Sequence, residues 1–106
     1  MTGILIGNIQ SINIVNVPLT PVSIAATTTV EQNFNIPFIQ VGDYVSIRKP
    51  TSQAGLTVSA AVRVVSNGVV ALSYTNSSGS PIVPTAESYM ILMYRPQIVG
   101  NLTPYF

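Results

Sequence analysis

Seven residues carry all of the chain's charge: Glu31, Asp43, Arg48, Lys49, Arg63, Glu87 and Arg95. There is no His and no Cys, so imidazole and thiolate are missing both as catalysts near neutral pH and as metal ligands. Ser46 and Lys49 could in principle form a serine–lysine dyad. Their spacing, however, sets them on opposite faces of a strand. Asp43 and Glu87 could serve as acid and base, but the simpler reading gives Asp43 to the turn at Gly42 and Glu87 to a strand end. A calcium ion needs about six to eight oxygens, including clustered carboxylates. Three scattered acids supply that only if a site is shared across a subunit interface. Asn76-Ser-Ser78 and Asn101-Leu-Thr103 match the glycosylation sequon, as chance allows in a chain rich in Asn, Ser and Thr, and the N-terminus does not read as a secretion signal. Tyr44, Tyr74, Tyr89, Tyr94 and Tyr105 could stack on sugars or bases. With only four basic residues they read better as core or interface. The expectation is a structural or binding module, not an enzyme, with no metal or cofactor.

The elements that position these residues are short strands. A length of 106 residues fits one domain. Charged residues make up 7% of it against about 25% in an average soluble domain. Net charge is +1, which offers nothing to nucleic acid or an anionic membrane. Asn, Gln, Ser, Thr or Pro interrupts every apolar stretch before it reaches the roughly 20 residues of a spanning helix. Val, Ile and Thr favour strands, and Pro and Gly break the chain at short intervals. Strands are expected over Ile9 to Val17 (ended by Pro18 and Pro21), Val22 to Ala26, Thr28 to Ile36, Tyr44 to Arg48, and Ser88 to Arg95. In the third of these, Gln32 interrupts an otherwise apolar face of Val30, Phe34 and Ile36. Lys49–Gly55 and Thr75–Pro81 read as loops.

Asn67-Gly68 between β-branched runs predicts a two-residue hairpin with a type I′ turn. That register pairs Val65 with Val70 and Arg63 with Leu72. It sets Val65, Val70, Leu72 and Tyr74 on one face and Val62, Val64, Val69 and Ala71 on the other. Both faces are then apolar, and the second needs a cover from the N-terminal segment or a neighbouring subunit. The last strand divides the same way: Tyr89, Ile91, Met93 and Arg95 on one side, Met90, Leu92 and Tyr94 on the other. Arg63 and Arg95, each inside an apolar strand, call for acidic partners, with Glu31 or Glu87 expected to pair with one of them within the chain or across subunits.

Thr28-Thr-Val-Glu-Gln32, Val41-Gly-Asp-Tyr-Val45, Lys49-Pro-Thr-Ser-Gln-Ala-Gly-Leu56, Arg63-Val-Val-Ser66, Thr75-Asn76, Pro84-Thr-Ala-Glu-Ser-Tyr89 and Arg95 together resemble a family of small tailed-phage virion proteins. The resemblance covers about two-thirds of the chain. It implies a β-sandwich module on the virion, with capsid decoration or cement among its roles and a tail or fibre receptor-binding module as the alternative. The expectation is therefore an all-β, antiparallel, jelly-roll-like sandwich over residues 22–95, with an N-terminal arm or strand over 1–21 and a C-terminal tail over 96–106. It would form a homotrimer on the outer surface of the capsid and bind the major capsid protein between capsid subunits. Its expected interface residues are Ile4, Ile6, Ile9, Ile12, Ile14, Val62, Arg63, Val64, Arg95, Leu102, Tyr105 and Phe106.

Overall fold

A computed structural model describes residues 7–60 and 62–98. Its strands are β1 (Gly7–Leu19), β2 (Thr28–Asn35), β3 (Tyr44–Arg48), β4 (Leu56–Val58), β5 (Arg63–Ser66), β6 (Val69–Asn76) and β7 (Glu87–Ile98). One sheet has the order β1-β7-β3, the other β2-β6-β4 with β5 also on β6, and every pairing is antiparallel. The two sheets pack as the sandwich expected from the sequence. Seven strands are described, where a jelly roll has about eight.

Alternation along each strand builds the core. Tyr89, Ile91 and Met93 of β7 and Val45 and Ile47 of β3 face Val70, Leu72 and Tyr74 of β6, all buried, with Ile24, Ile36 and Ile39 closing in from the connections. The segment read as an N-terminal arm or strand is, from Gly7 onward, a strand of the sandwich: Val15, Val17 and Leu19 pack against the core. Pro18 does not end it. β1 is an edge strand, and an edge tolerates a residue with no N–H to donate. β7 likewise runs past Arg95 to Ile98.

Two expectations fail for identifiable reasons. Val22 to Ala26 forms no strand. Ile24 makes a single bridge to Ile82, and Val22, solvent-facing, gives its N–H and C=O to the Gln32 side chain at 2.9 Å each. The Gln32 that seemed to spoil an apolar face therefore acts as a surrogate strand partner. The Asn67-Gly68 turn is present, but only Gly68 has positive φ (79°). A type I′ turn needs it at both central residues. Ser66 pairs with Val69 as expected, then a bulge at Val65 shifts the ladder to Val64–Val70 and Arg63–Ala71. That shift exchanges the faces. Val62 and Val64 pack against the core, and Val65 turns outward.

The outer face of this second sheet is consequently polar. Thr29 and Thr75 share a hydrogen bond of 2.9 Å, and Arg63 reaches Glu31 across β6 at 2.8 Å, on the side where Ala71 and Ser73 lie. The face needs no covering layer.

Candidate functional site

The other sheet keeps an apolar outer face. Its rows follow from register: Ile14–Leu92–Ser46, Ile12–Tyr94–Tyr44 and Asn16–Met90–Arg48 each cross β1, β7 and β3. The irregularity between Ile9 and Ser11 brings Ile9 opposite Pro96, on the same side as Tyr94. Exposure is high along this face: Ile9 53%, Ile12 54%, Ile14 65%, Tyr44 59% and Met90 45%. Leu92 and Tyr94 are half-buried among them, and the Tyr44 and Tyr94 rings lie 5.7 Å apart at 45°. Scattered exposed apolar residues are ordinary, but a contiguous apolar face marks an interaction site.

Arg48 is the one charge the described strands place on this face, and among the described residues it has no acidic partner. It borders a hollow with Asn16, Pro50, Ser88 and Met90. It also lines a larger cleft of about 470 Å³ with Ser46, Thr51, Ser52, Gln53 and Thr57.

All three acids are committed to cations. Arg95 donates to both oxygens of Asp43 at 3.0 Å, and Asp43 also accepts the Gln40 N–H at 2.8 Å, so it braces the turn at Gly42 as well. Lys49 Nζ lies 2.9 Å from Glu87, whose two oxygens also meet the Thr51 hydroxyl at 2.8 and 2.9 Å. Glu31 takes Arg63. Each guanidinium or ammonium partner holds its carboxyl below the usual carboxylate range. The paper dyad of Ser46 and Lys49 is not assembled, since Lys49 is turned to Glu87 and its side chain is 6% exposed. Asp43 and Glu87 are each bound to their own cation, Arg95 and Lys49 respectively. Among the described residues no cluster of acids could hold a metal ion, and no helix is long and apolar enough to cross a membrane.

The expected interface residues therefore divide. Ile9, Ile12 and Ile14 lie on the apolar face. Val62 and Val64 belong to the core side of the second sheet, because the bulge re-phases β5. Arg63 and Arg95 are taken up by intrachain pairs with Glu31 and Asp43; Glu87 pairs with neither arginine. Ile4, Ile6, Leu102, Tyr105 and Phe106 lie outside the described residues. Tyr44, Met90, Leu92 and Tyr94 complete the face and were absent from the expected set. The signal for Met90, Leu92 and Tyr94 was the second apolar face of β7.

The sequon at Asn76 is closed. Asn76 is fully buried, its Nδ2 donating to the Ile24 and Ser80 carbonyls at 3.1 and 2.8 Å and its Oδ1 accepting from Ser78 N and Oγ at 2.9 and 2.7 Å. Comparisons of the chain with protein-family models, curated proteins and solved structures gave no match, which leaves the apolar face and its rim as the basis for a functional reading.

Proposed function

We propose that this protein is a non-enzymatic decoration protein of a phage capsid, which stiffens the shell by laying the outer face of β1-β7-β3 against major capsid protein on the outside of the head. The observation that supports it most is the apolar face itself. Ile9, Ile12, Ile14, Tyr44 and Met90 stand open on a sandwich whose acids are all neutralised internally. A half-exposed isoleucine or methionine still gains on the order of 1 kcal/mol when covered. Repetition over a lattice turns such small gains into firm attachment. Arg48 at the rim suits a carboxylate on the partner. The family resemblance over Ala25 to Arg95 points the same way.

A second reading has its own observation. The cleft of about 470 Å³ beside the Lys49–Gly55 loop offers hydroxyl, amide and guanidinium groups to a host glycan, as a tail or fibre module would. Cryo-electron microscopy of virions carrying this chain separates the two. Density on the outer shell between capsomers, lost when Ile12 and Ile14 are both changed to lysine, is the expected result. Density confined to the tail transfers the function to host attachment, and absence from particles overturns both. Deleting residues 1–17 is a poor substitute, because it removes Val15 and Val17 from the core packing.

A further inference from the structure

The fold blunts every sheet edge but one. The outer edge of β3 is met by Ala60 and Val62: Ile47 N–H donates to the Ala60 carbonyl at 2.9 Å and Val62 N–H is directed at the Val45 carbonyl at 3.5 Å. β2 carries Glu31, and Gln32 draws the Val22 backbone against it. β4 and β5 are only three and four residues long, and β5 carries Arg63. Short length, charge, proline, bulges and covering segments are the usual ways a protein prevents edge-to-edge pairing. β1 has such features only towards its ends, the irregularity between Ile9 and Ser11 and Pro18, and the stretch between them has none. β1 is 13 residues long and uncharged, and among the described residues its outer edge accepts no hydrogen bond from the rest of the chain.

The phase of that edge can be read from Pro18. With no N–H to give β7, it fits a position whose backbone faces away from β7. Counting back by twos, Asn16, Ile14 and Ile12 turn their N–H and C=O groups to the open side. The same residues place their side chains on the apolar face.

We infer that β1 pairs with β1 of a second copy, antiparallel about a two-fold axis at Asn13, to make one continuous six-stranded sheet. In this register Ile12 lies opposite Ile14 of the other copy, twice, and the two apolar faces become one surface. Charge favours the same occupant. About a two-fold axis a charge near the centre of the pairing lies close to its own symmetry copy, and β1, the one long described edge without a charge, has none to repel. The inference stands apart from the proposed role on capsids. It gives a dimer, where the sequence suggested three copies.

The absence of cysteine makes the test clean. In a non-hydrogen-bonded antiparallel pair the Cα atoms are about 4.5 Å apart, within the range that a disulfide spans. Asn13→Cys should therefore cross-link under mild oxidation about tenfold or more faster than Asn33→Cys, an exposed site on the other sheet, because pairing raises the effective concentration of the thiols. Native mass spectrometry of the unmodified chain should give two chains. Ile14→Lys, at a site 65% exposed, should give one chain with an unchanged circular-dichroism spectrum. A monomer at the highest soluble concentration, a trimer, or equal cross-linking of Asn13→Cys and Asn33→Cys would each overturn the pairing.

Discussion

Tyr74 and Tyr89 meet hydroxyl to hydroxyl at 3.0 Å in the middle of the core, one from each sheet, both fully buried. Burial first, and then the bond to Tyr89, push the Tyr74 hydroxyl well above the ordinary tyrosine range; burial also raises Tyr89. Tyr74→Phe strands the Tyr89 hydroxyl without a partner and should cost about 1–3 kcal/mol, read as a shift in urea midpoint at unchanged slope. Tyr74→Phe combined with Tyr89→Phe should recover much of that loss. A double variant as unstable as the sum of the singles would show that the hydroxyls do not couple. Tyrosine as core was legible from composition, but this pairing was not, because it joins strands in different sheets. The amides were less legible still. Gln32 on Val22, Gln53 on Val83 and Thr85, and Asn76 on Ile24 and Ser80 each do by side chain what a strand partner does by backbone. A sequence shows such residues only as polar interruptions.

The β5–β6 hairpin shows where pattern reading stops. Asn-Gly located the turn and the Ser66–Val69 pair correctly, yet turn type and one bulged residue decided which valines face the core. A slip of one residue moves every side chain to the other face, so Val62 and Val64 changed from expected interface to core-packed residues. β7, which has no bulge, kept the faces its alternation predicted, and the apolar face was readable there. The segment Lys49–Leu56 is also accounted for at this scale. Lys49 and Thr51 bind Glu87, Gln53 clasps Val83 and Thr85, and the Gly55 carbonyl accepts Ser77 N–H at 2.9 Å. Those residues hold a loop in place, and the exposed apolar face lies elsewhere. Gly68 tests the turn. Its φ of 79° excludes a comfortable β-carbon although space beside Pro37 is adequate. Gly68→Ala should lose roughly 1–2 kcal/mol in chemical denaturation. Gly68→Asn should lose less, since asparagine tolerates the left-handed region. Equal losses would trace the cost to the neighbours and away from the backbone.

Across the whole molecule, charge is used at the seams. Arg95–Asp43 joins the end of β7 to the turn before β3, Lys49–Glu87 ties the long loop to the start of β7, and Arg63–Glu31 spans β6. The carboxyls of Glu31, Asp43 and Glu87 sit below their unfolded values of 4.5, 3.8 and 4.5. A depressed folded pKa contributes stability that is complete above the unfolded value and is lost as pH falls through the folded one. The buried tyrosines work in the opposite direction. Their folded values lie above 10.0, so their stability is complete below that pH and is lost as pH rises beyond it. The chain has no histidine and no cysteine, the side chains that ordinarily titrate between these limits. Melting temperature against pH should therefore form a flat plateau from about pH 5 to pH 9, falling on both sides. The acid limb should shrink in Asp43→Asn more than in Glu31→Gln. The Asp43 side chain is 2% exposed, whereas Glu31 and Arg63 are 43% and 60% exposed and screened by solvent and salt. A melting temperature that stays level down to pH 2, or an acid limb indifferent to Asp43→Asn, would mean the seams are held by packing alone.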